Sequence, residues 1–170
     1  MFWDDLTFHS RSQAERFARA ILDRGLKFHW IAHCRADLLN HEEDLAIAKL
    51  MHQAGCYAMN FSLESADREI LKAMRKHITP EQFSQQVDIF RRAGIQPFTS
   101  LVFGYPQETP ETIAKTIDCC IQNRIYPSSG FFLPQPGSVM YDWARENGHI
   151  PDEEAFLLKM GDRQDFRVNL

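Results

Sequence analysis

The chain has 170 residues, of which 44% are hydrophobic and 25% are charged, a balance typical of one globular domain with a sizeable core. Its formal net charge of -4 gives no broad basic face, which argues against sequence-independent binding to nucleic acid. The sequence contains neither an apolar run of membrane-spanning length nor a signal peptide. We therefore predict a cytoplasmic protein with no membrane span and no nucleic-acid partner.

The four cysteines do not predict a metal site within the chain. Cys34, Cys56, Cys119 and Cys120 include no pair with the C-x-x-C spacing that holds zinc or an iron–sulfur cluster. Cys120 falls on an apolar helical stripe, where a small buried side chain is the simpler interpretation.

Strand and helix patterns alternate along the whole chain. The apolar opening Met1-Phe2-Trp3 predicts a buried strand that leads into a polar loop. The further strand candidates are residues 27–32, 57–63, 95–103 and 131–133.

Capping residues mark where the predicted helices begin. Ser10, Asn40, Thr79 and Thr109 each precede a helical apolar pattern, and Thr79 and Thr109 are followed by proline at the first helical position. On the helix after Thr109, one face is predicted to be buried: Ile113, Thr116, Ile117, Cys120 and Ile121. The last two helices are predicted around residues 139–147 and 153–160.

This alternation, with strands interpreted as apolar on both faces, predicts a parallel sheet covered by helices. A doubly wound sheet and a barrel both satisfy the pattern. The barrel is favoured because polar residues fall just after the strands and almost never just before them, as at the active-site rim of a strand–helix barrel. The predicted fold class is therefore α/β, a partial (β/α) TIM-like barrel with parallel strands and outer helices.

The residues after the strands are the candidate ligand-binding groups. Asp5 and Glu64 could bind a cationic amino group, and Arg35 a carboxylate, so that a zwitterionic small molecule would suit them. For Arg35, an ion pair with Asp37 is the alternative, and adjacent acids such as Asp4 and Asp5 often cap a turn. Glu64 follows a buried strand and needs a partner, which favours a ligand role.

The seven histidines are not predicted to bind metal or act as bases. His29 and His33 are four residues apart, but on a strand this spacing separates them too far to chelate one metal easily.

Several motifs, in this order and spacing, resemble the radical S-adenosylmethionine (SAM) superfamily, in particular its members with a cobalamin-binding domain upstream. The motifs are Phe2 to Phe8, Cys34-Arg35-Ala36-Asp37, Ala54-Gly55-Cys56, Phe61-Ser62-Leu63-Glu64-Ser65, Met74-Arg75-Lys76, Gly104-Tyr105-Pro106-Gln107-Glu108-Thr109 and Pro134-Gln135-Pro136-Gly137-Ser138.

The resemblance implies a domain organisation and cofactors. Residues 1–150 would form about strands 2 to 6 of the radical SAM barrel, and residues 151–170 an incomplete helical extension. In that family a C-x-x-x-C-x-x-C loop after the first strand holds a [4Fe–4S] cluster, so its ligands and the cobalamin-binding domain would lie upstream of this chain. The cofactors implied are SAM, the cluster and, in this subclass, cobalamin.

The resemblance also implies which residues contact SAM. Asp4 and Asp5 match the motif near the methionine amino group, and Gln107 departs from the glycine common before the Glu-Thr pair. The full set of implied cofactor-binding residues is Asp4, Asp5, Arg35, Ser62, Glu64, Val102, Gly104, Glu108 and Pro136.

The implied activity of the full-length protein is formation of a 5′-deoxyadenosyl radical from SAM, or methyl transfer or ring formation, on a small-molecule substrate. The isolated chain is expected to be inactive. Two alternatives stay open: a truncated barrel remnant without activity, and a non-radical barrel lyase. Against the lyase, no lysine occupies a strand end where a Schiff base would form.

Overall fold

The computed structural model describes Phe2 and residues 6–160, which form four strands and seven α-helices. The strands are β1 (Trp30–His33), β2 (Cys56–Asn60), β3 (Gln96–Phe103) and β4 (Pro127–Phe131). The helices are α1 (Arg11–Asp23), α2 (Leu45–Gln53), α3 (Arg68–Ala73), α4 (Pro80–Arg92), α5 (Pro110–Gln122), α6 (Val139–Glu146) and α7 (Glu153–Met160), and a short 3-10 turn (Glu42–Asp44) precedes α2.

The four strands form one parallel sheet in the order β1-β2-β3-β4. Because each strand pairs with the next along the chain, every connection crosses in the same sense and the helices collect on one face. A doubly wound sheet would instead need a reversal of strand order, with helices on both faces. The order therefore confirms the α/β prediction and agrees with part of a barrel, and the doubly wound alternative is wrong.

The predicted strands differ from the observed ones at both ends of the sheet. The strand predicted at 131–133 is wrong in position, because the chain already pairs with β3 over Pro127–Phe131. Of the opening strand, Met1 and residues 3–5 lie outside the described residues, while Phe2 donates its N–H to the carbonyl of Ile31. The described residues thus form four strands of the expected five.

Three of the four predicted helix starts are confirmed by side-chain caps. Ser10, Thr79 and Thr109 each accept a hydrogen bond from the third residue of their helices. The prediction for Asn40 is wrong: His41 caps the 3-10 turn, and Asn40 is instead buried and receives a hydrogen bond from Arg11.

The face of the sheet under the helices, called here the outer face, contains the apolar core. Trp30 of β1 packs edge-on against Phe17 of α1 with ring centroids 5.4 Å apart. Phe61, just after β2, packs against Phe83 and Phe90 of α4 at 5.5 and 5.6 Å. These aromatic contacts hold the helices on the sheet and so fix the positions of the strand ends.

The opposite face, called here the inner face, is not apolar, so the prediction of strands apolar on both faces is wrong. His33, Asn60 and Ser100 project there and are half-buried, whereas Ala32 and Thr99, which alternate with them, are buried on the outer face. Phe98, also on the inner face, is 45% exposed. No described helix covers these residues, which leaves the inner face open to a ligand.

Two predictions about the later helices have different outcomes. The predicted buried face of α5 is confirmed at Thr116 and Cys120 and wrong at Ile117 and Ile121, which are exposed; the adjacent Cys119 is buried instead. Helices α6 and α7 lie as predicted and share a small separate cluster in which Tyr141 donates its hydroxyl to Glu153 at 2.7 Å. The predicted boundary at residue 150 stays a prediction.

Candidate functional site

The carboxyl ends of the strands form the edge where the candidate site lies. A cavity of about 350 Å³ opens there, and its walls include Arg35, Ser62 and Lys76. Arg35 follows β1, Ser62 follows β2, and Lys76 comes from the loop between α3 and α4. The parallel sheet thus brings residues from distant parts of the sequence to one cavity.

Glu64 has an unusual backbone conformation at this edge. Its φ is 65°, in the left-handed region, and the N–H of Ser65 donates to the carbonyl of Leu63 at 2.9 Å to close a three-residue turn around it. Such a turn costs a non-glycine residue on the order of 1 kcal/mol. The Glu64 carboxylate, only 15% exposed, pairs with Lys76 at 2.9 Å. The carboxylate therefore has the partner that its burial requires, and that partner is a lysine of the same chain.

Ser62 is held in place by contacts between β2 and β3. Its hydroxyl lies 2.6 Å from that of Ser100, the neighbouring inner-face residue of β3. Behind this pair, buried Thr99 donates its hydroxyl to the carbonyl of Phe61 at 3.0 Å and accepts from the N–H of Leu63 at 3.2 Å. Thr99 thus replaces regular ladder bonds where the chain bends, and the two serine hydroxyls stay on the inner face.

Arg35 forms the ion pair that was its alternative interpretation. Its guanidinium makes two hydrogen bonds to Asp37, at 2.8 and 2.9 Å, and this pairing raises the pKa of Arg35. The loop that carries both residues is anchored by Gln86 of α4, which is fully buried. Gln86 donates to the carbonyl of Arg35 at 2.8 Å and accepts from the N–H of Leu39 at 2.8 Å.

The segment from Gly104 to Glu108 closes a loop after β3. Gly104 has φ 93°, which favours glycine, and its N–H donates to one carboxylate oxygen of Glu108 at 2.6 Å. The other oxygen, Oε1, is buried and has no hydrogen-bond partner among the described residues. A buried acceptor without a donor is costly, so this atom suits a ligand that brings an N–H or O–H group.

The remaining residues predicted to contact SAM have fewer contacts with the rest of the candidate site. Val102 is half-buried on the inner face, and its N–H donates to the carbonyl of Glu64 at 3.4 Å. Pro136 is exposed in the loop before α6, and no hydrogen bond of the described part of the chain joins it to the others. Asp4 and Asp5 lie outside the described residues. The structure therefore brings together Arg35, Ser62, Glu64 and Val102, with Gly104 and Glu108 following on the next loop.

Sequence reasoning missed three residues that shape the site, Lys76, Gln86 and Ser100, and one residue beside it, Asn60. Lys76 lies twelve residues from Glu64, and Gln86 lies on a helix, so neither position follows a strand directly. Asn60 and Ser100 lie within strands that were interpreted as apolar. A search for polar residues at every second position of these strands would have found Asn60, Ser62 and Ser100.

The described cysteines do not fit an iron–sulfur cluster. Burial raises the pKa of Cys34, raises that of Cys56 to about 12 and that of Cys120 to about 11, and also raises that of Cys119. A thiolate is the form that ligates metal, and burial disfavours it. Within the described residues no group of three or more potential ligands could hold a metal ion.

Comparison with known proteins identifies the family. The family model of the Radical SAM superfamily matches residues 5–120, more than half of the chain. An uncharacterised methyltransferase of Pyrococcus horikoshii is 30% identical over 147 residues, which cover 86% of this chain and 31% of that protein. The chain thus spans about a third of the length of this relative.

Solved structures share the fold. The radical SAM methyltransferase TsrM of Kitasatospora setae, described with cobalamin and a [4Fe–4S] cluster bound, matches with a TM-score of 0.58 at 24% identity over 71% of this chain and 24% of its own. Coproporphyrinogen III oxidase (HemN) of Escherichia coli, a radical SAM enzyme, matches with a TM-score of 0.60 at 16% identity over 89% of this chain and 37% of its own. Because the family model matches residues 5–120, the chain belongs to the radical SAM superfamily.

Proposed function

We propose that this chain forms the SAM-binding part of the barrel of a radical SAM enzyme, which generates a 5′-deoxyadenosyl radical or transfers a methyl group to a small-molecule substrate. The observation that supports this most strongly is the set of oxygen atoms on the uncovered inner face and its carboxyl edge: Ser62, Ser100, Glu64 and Glu108. Hydroxyls and carboxylates are the partners that the amines and hydroxyls of SAM require.

Each predicted contact has a separate chemical basis. We propose that Glu64 accepts from the amino group or ribose hydroxyls of SAM and that Glu108 Oε1 accepts from an amine of the ligand. A Cβ added at Gly104 would lie 3.8 Å from the Cβ of Phe132, an ordinary contact distance, so glycine leaves that volume free. The backbone there can approach a flat ring closely. Asp4, Asp5, Arg35, Val102 and Pro136 stay proposed contacts of the same cofactor.

The cluster and cobalamin would be held by other residues. When bound, a reduced [4Fe–4S] cluster supplies the electron that cleaves SAM, and the protein contributes orientation and exclusion of water. The buried thiols of this chain do not fit the cluster, so its ligands are proposed to lie upstream. Use of cobalamin, with an upstream cobalamin-binding domain, is proposed from the resemblance and is supported by the fold shared with TsrM.

Two observations concern the alternative of a non-radical lyase and the location of the protein in the cell. Lys76 does reach the edge, but from a loop, and its ammonium is engaged by Glu64, which does not favour a Schiff-base lyase. None of the described helices is long and apolar enough to cross a membrane. The cytoplasmic location stays a proposal.

Binding of S-adenosylhomocysteine, a stable analogue of SAM, tests the site in the chain itself. Because Glu64→Gln removes a charge-assisted hydrogen bond, we expect roughly tenfold weaker binding by calorimetry. The matched control is Glu81→Gln, which alters an exposed acid paired with Arg68 on the helical side. No binding by the wild-type chain, or equal weakening in both variants, would contradict the assignment.

Activity tests the mechanism in the natural gene product that contains this chain. Under anaerobic reduction we expect it to form 5′-deoxyadenosine, and we expect Glu64→Ala to impair this far more than His33→Ala. Absence of 5′-deoxyadenosine from the cluster-loaded wild type would remove the radical mechanism. Equal activity of the two variants would return Glu64 to a structural role.

Iron content provides an independent test. After anaerobic reconstitution, the chain alone is expected to bind only adventitious iron, because its buried thiols lack cluster spacing. A stoichiometric [4Fe–4S] absorption and resonance spectrum would refute this.

A further inference from the structure

A second polar group lies deeper on the inner face than the candidate SAM site. His33 of β1 and Asn60 of β2 are partners in the sheet register, and His33 Nδ1 lies 3.3 Å from Asn60 Nδ2. The hydroxyl pair Ser62 and Ser100 follows towards the carboxyl edge. Two linked pairs of side chains therefore run along the inner face from the last residues of β1 and β2 to the cavity.

The hydrogen bond between Asn60 and His33 determines which donor and acceptor atoms of the two side chains are left available to a ligand. Because the Asn60 amide nitrogen can only donate, Nδ1 of His33 is the acceptor, and the proton of the neutral imidazole lies on Nε2. Neither His33 Nε2 nor Asn60 Oδ1 has a hydrogen-bond partner within residues 6–160. One donor and one acceptor are thus available side by side.

The surroundings of this pair are neutral and partly apolar. Strands β1 to β4 contain no aspartate, glutamate, lysine or arginine. Among the described charged residues at the edge, Arg35 and Glu64 are paired with Asp37 and Lys76, and Glu108 accepts from Gly104 on the loop after β3. Phe98, the register partner of Asn60 on β3, presents a half-exposed ring beside the pair.

We propose that His33 and Asn60 bind a neutral hydrogen-bonding group of the substrate, an amide or a hydroxyl, while Phe98 contacts the adjoining apolar part. A donor next to an acceptor matches a group that both accepts and donates, and strands β1 to β4, which contain no charged residue, give no compensation for a buried ion. The inference rests on the proposed function, since it assigns the oxygen atoms of Ser62, Ser100, Glu64 and Glu108 to SAM and the neighbouring His33–Asn60 pair to the substrate.

Three small probes of similar size test the chemistry: acetamide, acetate and methylammonium. Each is titrated into the chain while NMR follows the imidazole of His33 and the side-chain amide of Asn60. We expect acetamide alone to give saturable shifts of both signals. His52, which bonds the carbonyl of Cys56 on the helical side, is the internal control and should not respond. Saturable shifts with acetate or methylammonium instead, or none with acetamide, would overturn the proposal.

Variants separate this proposal from the proposed function. Asn60→Leu and His33→Phe should abolish the acetamide shifts but leave binding of S-adenosylhomocysteine within about twofold, whereas His52→Phe should change neither. If acetamide still shifts His33 in Asn60→Leu, the pair is not the binding group and the inference fails. If the wild-type chain does not bind S-adenosylhomocysteine, the proposed function is contradicted instead.

Discussion

The two faces of the sheet are built from alternating residues of the same strands, yet they differ in almost every physical respect. On the outer face, Trp30 and Phe61 are 1% exposed and pack among the aromatic residues of α1 and α4. On the inner face, Phe98 is 45% exposed and its neighbours are amides, hydroxyls and an imidazole. We infer that stability is concentrated on the outer face and ligand recognition on the inner face.

The largest expected effect comes from removing matched phenyl rings on the two faces. Phe61→Ala leaves a cavity between Phe83 and Phe90 and should destabilise the chain by about 3–5 kcal/mol. Phe98→Ala removes a half-exposed ring and should cost under about 1.5 kcal/mol. Urea unfolding followed by circular dichroism measures both. Equal losses would break the distinction between the faces.

A buried polar residue on the outer side should have the next largest effect. Gln86→Leu leaves the carbonyl of Arg35 and the N–H of Leu39 without their partner, at about 1–3 kcal/mol for each buried group. Gln85→Leu, at the exposed neighbouring position of α4, is the control and should be nearly neutral. If the two variants unfold at the same urea concentration, Gln86 does not anchor the loop.

A smaller effect is expected at Asp67, which caps α3 and pairs with Lys115 at 2.7 Å. Asp67→Ala should cost about 1 kcal/mol through loss of the cap, whereas Asp67→Asn keeps a capping oxygen and should cost a few tenths. The hydrogen bond from Lys115 lowers the pKa of Asp67. The stabilisation from its charge is therefore present above the ordinary carboxyl pKa and is lost as pH falls through the lower folded value.

Unfolding measurements across a pH series test this sign. The difference between wild type and Asp67→Asn should be constant near neutral pH and shrink below about pH 4. A difference that grows on acidification would contradict the pairing with Lys115.

The smallest expected effect concerns Arg75, which is exposed and has φ 55°. Arg75→Gly relieves the strain of the left-handed conformation, but glycine loses more entropy on folding, so we expect a net gain of about 0.5 kcal/mol or less. Arg75→Ala retains the strain and should give no gain. A thermal shift assay with both variants decides whether the loop is strained.

Sequence reasoning succeeded where local chemistry determines structure. Thr79-Pro80 and Thr109-Pro110 specify helix starts through their own side chains and rings, so they could be predicted without knowledge of tertiary contacts. The parallel sheet followed from the alternation of strand and helix patterns, although the strands are not apolar on both faces as was expected.

Sequence reasoning failed where a residue's environment depends on another part of the chain. Ile117 and Ile121 fit a helical apolar stripe as well as Cys119 and Cys120 do, and only the position of the sheet decides which side is buried. The Glu64–Lys76 pair likewise depends on how the loop after α3 folds back over the edge. Individual strand ends could be predicted to face the site, but not which of their charged groups would already be paired.

The four buried thiols have a practical consequence for following the motions of this protein. Cys34 and Cys56 lie at opposite ends of neighbouring strands, while Cys119 and Cys120 lie on α5. Because an exposed thiolate is the form that reacts with an alkylating reagent, each cysteine becomes reactive only when its own region opens. Pulsed alkylation followed by mass spectrometry would therefore report separate opening rates for the sheet and for α5, without the introduction of any further cysteine.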